Sequence, residues 1–441
     1  MGNFWLKTRN WFLLLGDVLL LYSSLALALF IRYREQFFSA WWLHFVPFTL
    51  IFWLWVIIFY ISGFYDLRRA RNQAQFFIQL LLIISLAGLV GMAVFYLWPS
   101  LGISPKTNLA LTLLLATIFL FLWRLIFNAL ISQPQRKILL IGEHTQSIEL
   151  ATQLNNHPQW GYQVAAIITP EKFFEYKDKL NSLGISTLVI SDDLYQTQAL
   201  TDALYDSLSS RVEMFTLTKF YEQLVKKIPL SVISKVWFLE NLTERDKLAF
   251  DKIKRLIDIV LSLLGLVLTL PFYPLLYLAV KIDSPGPFFY TQVRLGKLGK
   301  PFVIVKIRSM VQDAEKKGAE WAIPGDVRVT RVGKFFRKIR LDELPQLFNI
   351  LWGDMSFVGP RPERPEFISQ LEQEIPYYKQ RLLVKPGLTG WAQVNFKYSS
   401  DVAGALEKLQ LDLYYIKNRS LFLDLTILLK TVSMVLKGGG H

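Results

Sequence analysis

The sequence predicts a membrane protein that joins an α-helical membrane part to α/β structure. Its 441 residues exceed one ordinary domain, and a mean hydropathy of +0.32 with 15% aromatic residues is typical of membrane proteins. Long apolar segments fill residues 1–135, and β-prone runs alternate with helical patterns over residues 136–245. These patterns predict a four-helix transmembrane bundle followed by a small parallel-sheet module.

Four apolar segments are long enough to cross a bilayer, which requires about 20 helical residues. The first has no small-residue cleavage site and is therefore expected to be a retained span, in which Asp17 snorkels or pairs with a neighbouring helix. Cations flank alternate ends, so the positive-inside rule places those ends and the later chain in the cytoplasm. The segments are 11–31, 44–61, 76–98 and 109–131, and the cations are Lys7, Arg9, Arg68, Arg69, Arg71, Arg136 and Lys137.

Residues 136–245 are predicted to form a small Rossmann-like module. The predicted strands are 136–142, 162–168 and 186–191, and the predicted helices are 147–155 and 171–183. The first turn contains only Gly142, whereas a dinucleotide fingerprint needs three glycines. We therefore expect a structural or regulatory module that lacks the dinucleotide fingerprint.

Residues 246–285 include a further apolar segment, 257–280, which Pro271 and Pro274 interrupt. A fifth crossing would place the cations that follow on the outer face of the membrane. A helix that breaks near Leu270 and returns to the same face avoids this problem, and a kinked fifth span is the alternative.

The amino-acid composition limits the kinds of metal site and binding partner that this chain can have. The chain has no cysteine and four scattered histidines, which excludes disulfides and thiolate metal sites and argues against a zinc enzyme. A metal would have oxygen ligands, with Mg²⁺ favoured. Residues 251–441 carry 28 Lys and Arg against 18 Asp and Glu. That excess fits phosphorylated substrates or a lipid bilayer, and we expect no nucleic acid.

Two adjacent carboxylates, Asp342 and Glu343, directly follow a run of cations: Arg328, Arg331, Lys334, Arg337, Lys338 and Arg340. Pro345 fits only the first turn of a helix, so Asp342 is expected near the N-cap. There the helix dipole would keep a carboxylate ionised and nucleophilic. In isolation, the pair would instead be a helix cap and a solvated charge.

Two β-prone runs, 288–295 and 302–308, flank a glycine-containing turn and predict a hairpin. Alternation along the second strand places Lys306 and Arg308 on one face, where both could reach the same phosphate. A solvated edge strand protected by charge is the alternative. Apolar stripes over residues 405–437 predict amphipathic interfacial helices, with core packing as the competing interpretation.

Four separated motifs resemble signatures of the bacterial sugar transferase family, which comprises the polyprenyl-phosphate hexose-1-phosphate transferases, or monotopic phosphoglycosyl transferases. They are Lys-Ile-Arg-Ser-Met at 306–310, Leu-Asp-Glu-Leu-Pro-Gln at 341–346, Met-Ser-Phe-Val-Gly-Pro-Arg-Pro-Glu at 355–363 and Lys-Pro-Gly-Leu-Thr-Gly-Trp-Ala-Gln-Val-Asn at 385–395. Each motif alone is moderately specific, whereas four in this order are very specific.

The resemblance implies a re-entrant membrane helix within residues 246–285 and an α+β catalytic domain with interfacial helices over residues 286–441. The implied reaction transfers hexose-1-phosphate from a UDP-sugar to undecaprenyl phosphate and releases UMP, which initiates exopolysaccharide, capsule or O-antigen synthesis. It further implies a place in the bacterial inner membrane with the catalytic domain on the cytoplasmic face. A homodimer and docking of downstream glycosyltransferases are expected.

Residue roles follow from the same resemblance. Asp342 matches a nucleophile that forms a covalent aspartyl sugar-phosphate, and Glu343 matches a ligand of the Mg²⁺ cofactor. The matching substrate-binding residues are Lys306, Arg308, Arg337, Arg361, Pro362 and Lys385. Two other functions stay open: a non-catalytic membrane scaffold for polysaccharide assembly, and a membrane nucleotide-sugar dehydratase.

Overall fold

A computed structural model describes the chain in ten stretches. These are residues 2–62, 64–65, 74–97, 106–131, 135–210, 212–242, 247–312, 314, 326–396 and 401–436. Two compact units result: Met1–Lys137 with Leu154–Val164, and Ile138–Gln153 with Ala165–His441. The topology argument also used Arg68, Arg69 and Arg71, which lie outside the described residues.

Within the described residues, the first unit contains four long apolar helices. Their bounds are α1, Gly2–Tyr33; α2, Phe37–Ile61; α3, Ala74–Leu97; and α4, Lys106–Ile131. The stretches Trp11–Ile61, Leu80–Leu97 and Thr107–Phe127 are long and apolar enough to cross a membrane. The prediction of several apolar helices near the amino terminus is therefore confirmed.

An ion pair is buried among these helices. The Arg124 guanidinium donates to Asp17 Oδ2 at 2.6 Å, and neither side chain is exposed. The guanidinium also lies 4.3 Å from the centre of the Phe64 ring. The expectation that Asp17 pairs with a neighbouring helix is confirmed, because α4 supplies its counter-charge.

A four-stranded α/β sheet follows, with strand order β2-β1-β3-β4 and a parallel β3–β4 pair. The elements are β1, Arg136–Ile141; α5, Thr145–Asn156; β2, Tyr162–Ile168; α6, Pro170–Tyr176; β3, Ile185–Ile190; α7, Gln198–Asp206; β4, Glu213–Thr216; and α8, Leu217–Val225. The parallel-sheet prediction is confirmed. The helix predicted to reach residue 183 ends at Tyr176, and β4, α7 and α8 were not predicted.

After α9, Lys235–Asn241, an apolar helical segment runs from Leu248 to Asp283 and is also long enough to cross a membrane. It consists of α10, Leu248–Thr269, a 3₁₀ turn at Leu270–Phe272, and α11, Tyr273–Asp283. The change of helix type lies where the sequence predicts a break. Near the middle of α10, buried Asp258 accepts hydrogen bonds from Phe357 N and Ser356 Oγ, both at 3.1 Å.

The remaining elements lie in residues 289–436, the part of the chain that contains the four sequence motifs. They are β5, Phe289–Leu295; β6, Pro301–Ile307; α12, Arg331–Ile339; α13, Gln346–Trp352; β7, Ser356–Val358; α14, Pro365–Glu374; β8, Gly387–Thr389; α15, Trp391–Asn395; α16, Val402–Asn418; and α17, Leu421–Leu436. Strands β5 and β6 pair in an antiparallel hairpin, as predicted, and β7 pairs with β8 in parallel.

Helix α16 corrects the expectation of an interfacial helix. Leu409, Leu413 and Ile416 are completely buried, so this helix packs in the core, where several elements cover its faces. Helix α17 differs because it keeps exposed apolar side chains, such as Phe422 at 60%.

The parallel-sheet module is bonded to α16. Glu222 in α8 accepts hydrogen bonds from Lys417 Nζ and Asn418 Nδ2, both at 2.7 Å. The Ile228 amide donates to the Gln410 carbonyl at 3.1 Å. These contacts lie within the second compact unit.

Candidate active site

Asp342 and Glu343 lie in a 3₁₀ turn, Leu341–Glu343, between α12 and α13. Helix α12 ends because Arg340 adopts the left-handed conformation, with φ of +62°. This conformation is uncommon for a residue other than glycine and occurs most often where the surrounding structure enforces it. The turn therefore presents both carboxylates at a corner of the chain.

The N-cap prediction for Asp342 is wrong. Helix α13 begins at Gln346, and Pro345 occupies its N-cap. The turn at Asp342 closes with its own hydrogen bond, from Leu344 N to the Leu341 carbonyl at 3.2 Å. Because this turn separates Asp342 from the helix, burial and neighbouring charges, rather than an N-cap position, decide its protonation state.

Glu343 is almost fully buried among three cations. Arg361 Nη2 donates to Oε1 at 3.0 Å, and Lys306 Nζ lies 3.6 Å from the same oxygen. Arg340 Nη1 donates to Oε2 at 3.3 Å. Burial opposes the charge of Glu343, but the three cations outweigh it and hold the pKa of this carboxyl well below its usual range. Glu343 is therefore a fixed anion.

Asp342 is 8% exposed, and its Oδ1 has no hydrogen-bond partner. Burial and the adjacent Glu343 charge raise the pKa of Asp342 above its ordinary value. The positive charges of Lys306, Arg337 and Arg361 oppose that shift. A buried carboxylate oxygen without a partner is costly, so its position among cations suggests that a ligand normally completes the site.

Lys306 reaches the site from strand β6, where it is paired with Tyr290 across the hairpin. Burial lowers the pKa of Lys306 to about 8, against the opposing pull of Glu343. The neighbouring strand segment is fixed by Asn349, whose side chain donates to the Val303 carbonyl at 2.7 Å and accepts from Val305 N at 3.2 Å.

Arg337 extends from the last turn of α12 and donates from Nε to Ser309 Oγ at 2.9 Å. Arg361 follows β7 on a loop that crosses β8 closely. A Cβ on Gly359 would lie 2.4 Å from the Lys385 carbonyl oxygen, and one on Gly387 would lie 2.1 Å from Gly359 N. Only glycine permits this approach, which brings the Arg361 loop against the second strand.

The other three predicted substrate-binding residues, Arg308, Pro362 and Lys385, make contacts of a different kind. Arg308 lies beyond the end of β6, and its guanidinium donates to the Ser284 carbonyl at 2.6 Å and to the Pro285 carbonyl. Because β6 ends at Ile307, the alternation of side chains along the strand does not extend to Arg308. This placement corrects the expectation that both side chains reach one phosphate.

Pro362 contributes its carbonyl, which accepts from Arg294 Nη1 at 3.1 Å. Lys385 lies beside Gly353. Its pKa is lowered first by burial and then by the Arg255 charge. The structure therefore groups Asp342, Glu343, Lys306, Arg337 and Arg361, with Lys385 in a different charge environment.

Arg340 is a site residue whose role could not be deduced from the sequence. It stands in the cation run, but only its left-handed backbone turns the guanidinium onto Glu343. Its Nε is buried without a partner, like Nε2 of Gln346. In the sequence, Arg340 is marked only as a cation close to the carboxylate pair. Other cations of the same run share that property, so the sequence does not single out Arg340.

The carboxylates fit a limited set of metal ligands. No group of three or more His, Cys, Asp or Glu side chains in the described part of the chain could hold a metal ion. Mg²⁺ commonly uses one or two carboxylates together with substrate phosphates and water. Glu343, the carboxylate that its surroundings hold as an anion, can supply one such ligand, which leaves the partnerless Asp342 Oδ1 for a reacting group.

Comparison with known proteins places these residues in a family context. Residues 249–438 match the model for "Bacterial sugar transferase". A UDP-glucose:undecaprenyl-phosphate glucose-1-phosphate transferase from Klebsiella pneumoniae is 30% identical across 95% of this chain and 93% of its own length.

Other relatives have higher identity to this chain over shorter stretches. A UDP-N-acetylgalactosamine-undecaprenyl-phosphate N-acetylgalactosaminephosphotransferase from Aeromonas hydrophila is 48% identical over 188 residues, which are 43% of this chain and 44% of the relative. A UDP-glucose:undecaprenyl-phosphate glucose-1-phosphate transferase from Escherichia coli is 44% identical over 41% of this chain and 39% of its own. In both cases the match spans less than half of the relative.

Proposed function

This chain belongs to the bacterial sugar transferase family, and we propose that it transfers hexose-1-phosphate from a UDP-sugar to undecaprenyl phosphate. The product is a lipid-linked sugar diphosphate that initiates a bacterial surface polysaccharide. The observation that carries the proposal is Asp342, a buried carboxylate with a partnerless oxygen, grouped with Lys306, Arg337 and Arg361. Such a grouping suits a nucleophile that attacks an anionic phosphate.

The proposed reaction has two half-reactions. In the first, an Asp342 carboxylate oxygen attacks the β-phosphorus of the UDP-sugar, and the bond from that phosphorus to the bridging oxygen breaks. UMP leaves with the bridging oxygen, and an aspartyl sugar-phosphate remains. In the second, an oxygen of the lipid phosphate attacks the same phosphorus, and the acyl phosphate bond breaks to restore the Asp342 carboxylate.

The cations stabilise charge while these bonds change. Phosphoryl transfer depends mainly on positioning and on electrostatic stabilisation of the transferring oxygens. Lys306, Arg337 and Arg361 provide positive charge for those oxygens. The contact of Arg361 Nη2 with Glu343 at 3.0 Å keeps its guanidinium oriented when substrate is absent.

We assign Glu343, with the substrate phosphates, as the residue that would hold Mg²⁺. When bound, the ion would neutralise charge on the diphosphate and on the departing UMP. Glu343 suits this role because its pKa is held low, so that it stays ionised at any working pH. Its present contacts with Arg361, Lys306 and Arg340 are the ones that binding of the ion would compete with.

Conversion of radiolabelled UDP-sugars tests the function. Purified protein is incubated with undecaprenyl phosphate, Mg²⁺ and UDP-glucose, UDP-galactose or UDP-N-acetylgalactosamine in turn. We expect one sugar to give UMP and to carry label into the organic phase. A scaffold would convert none of them, and a dehydratase would change the sugar without releasing UMP.

For the membrane, we propose that the four amino-terminal helices form a transmembrane bundle and that Leu248–Asp283 enters and leaves on the cytoplasmic side of the inner membrane. The 3₁₀ turn at Leu270–Phe272 and the apolar exposed surface of α10 support a return within the bilayer. Single cysteines at Asn241 and Lys334 should label from the same side, since the chain has no native cysteine. Labelling from opposite sides would indicate a fifth crossing.

A further inference from the structure

The loop that carries Arg361 has few ways to fix its own backbone. Pro360 and Pro362 flank Arg361, and neither has an amide N–H to donate. The loop is held instead through its carbonyls, each by a donor from elsewhere. Gly387 N donates to the Pro360 carbonyl at 2.8 Å, and Arg294 Nη1 donates to the Pro362 carbonyl at 3.1 Å.

The middle carbonyl, of Arg361 itself, accepts from Arg381 Nη2 at 3.1 Å. The same nitrogen donates to Asp412 Oδ2 at 2.9 Å, and Nη1 donates to Tyr378 Oη at 2.7 Å. One guanidinium therefore joins α16, which carries Asp412, to the backbone of the residue whose own side chain contacts Glu343.

This ion pair is deeply buried. The Arg381 side chain is 4% exposed and that of Asp412 is 1% exposed. Burial raises the pKa of Asp412 to about 6, against the opposing charge of Arg381. A buried pair contributes little net stability compared with apolar residues of similar volume, so stability alone explains it poorly. Its geometry provides a better explanation, because a planar guanidinium can serve several fixed acceptors at once.

We propose that Arg381 and Asp412 are positioning residues of the active site, which hold the Arg361 backbone so that its guanidinium stays on Glu343 and faces the transferring phosphate. The inference rests on the transferase function proposed above. Neither residue touches the reacting atoms; both act through Arg361. Lysine at position 381 would keep the charge but lose the planar fork, and should leave Arg361 free to shift.

The test is a double-mutant cycle on UMP release by the full chain. Arg381→Lys should lower kcat about tenfold, with KM for the UDP-sugar changed by less than about twofold. In an Arg361→Gln background, the same substitution should change kcat by less than about twofold, because the group that it positions is already absent. Asp412→Asn, a near-isosteric change, should show the same dependence on Arg361.

Glu222→Gln serves as a matched control, because it weakens a different ion pair on α16, with Lys417. It should leave kcat within about twofold of the wild type. Equal losses from Arg381→Lys with and without Arg361, or unfolding of both Arg381→Lys and Asp412→Asn at the assay temperature, would assign the pair a purely structural role and overturn the inference. If the wild-type protein released no UMP, the proposed function and this inference would both fall.

Discussion

The carboxyl edge of the parallel sheet and the turn at Asp342 both gather polar side chains, but they satisfy them differently. At the sheet edge, Asp192 Oδ2 accepts from the Thr218 amide and hydroxyl at 2.9 and 2.8 Å. Ser191 donates to Asp193 Oδ1 at 2.5 Å, and His144 Nε2 lies 3.3 Å from that oxygen. At the Asp342 turn, Asp342 Oδ1, Arg340 Nε and Gln346 Nε2 are buried without partners.

This difference separates a framework from a binding site. Polar groups that bond one another can be stable without a ligand, whereas several partnerless atoms gathered beside two carboxylates and four cations offer positions where a ligand could bind. The sheet edge resembles nucleotide sites in its position within the fold. The Asp342 turn has the chemistry that such a site would require. Position in a fold alone is therefore weak evidence for function, and the chemistry of the side chains decides.

The largest expected effect is at Asp342. Asp342→Asn should reduce lipid-linked product by roughly 1,000-fold or more, since an amide cannot replace an essential nucleophile. Radiolabel retained on the denatured protein after incubation with UDP-sugar alone should disappear in the variant. Asp354→Asn, at an exposed acidic residue beyond α13, is the matched control and should behave like the wild type. Near-normal turnover by Asp342→Asn would rule out the covalent route.

A smaller loss is expected at the adjacent carboxylate. Glu343→Gln keeps the shape of the side chain but removes its charge, and activity should fall about 10- to 100-fold with a higher Mg²⁺ concentration needed for half-maximal rate. The measurement is UMP release over a Mg²⁺ titration. Glu366→Gln, whose parent side chain is 63% exposed, is the control. An unchanged Mg²⁺ requirement would leave Glu343 with ion pairing as its only role.

The pH dependence should reveal Lys306. Because burial lowers the pKa of Lys306 to about 8, the ammonium loses its proton as the pH rises through that value, and kcat should decline on the alkaline side. Lys306→Arg should move the decline to higher pH, since arginine stays charged, although its peak rate should be lower.

Lys300→Arg, at an exposed position outside the hairpin strands, should leave the profile unchanged. If the alkaline decline persisted unaltered in Lys306→Arg, a different group would be responsible for it.

Local patterns predicted much of the fold, because they are marked in the chain itself. Strand β2 was predicted with its observed bounds, between Gly161 and Pro170, and the β5–β6 hairpin was predicted from its glycines. The environment of Arg308 depends instead on carbonyls more than 20 positions away, which strand alternation cannot reveal. Likewise, the apolar stripes over residues 405–437 predicted helices but did not decide between a membrane interface and core packing.

The same limit applies to the site. Asp342, Glu343 and Arg361 stand in sequence motifs, so they could be named before their geometry was known. The buried pair of Arg381 with Asp412 joins residues 31 positions apart in sequence, and only the fold brings them together behind Arg361.

The smallest expected effect is at the sheet edge, where the comparison predicts that polar groups with internal partners do not affect the reaction. His144→Ala combined with Asp193→Asn removes a polar contact between side chains that are 39% and 57% exposed. Exposed pairs contribute about 0–1 kcal/mol, so the melting temperature should fall only slightly. UMP release should stay within about twofold of wild type for every UDP-sugar, because these polar groups already satisfy one another and bind no reactant. A marked loss of activity with an unchanged melting temperature would show that the sheet edge contributes to the reaction, and that satisfied polar groups do not identify a framework in this protein.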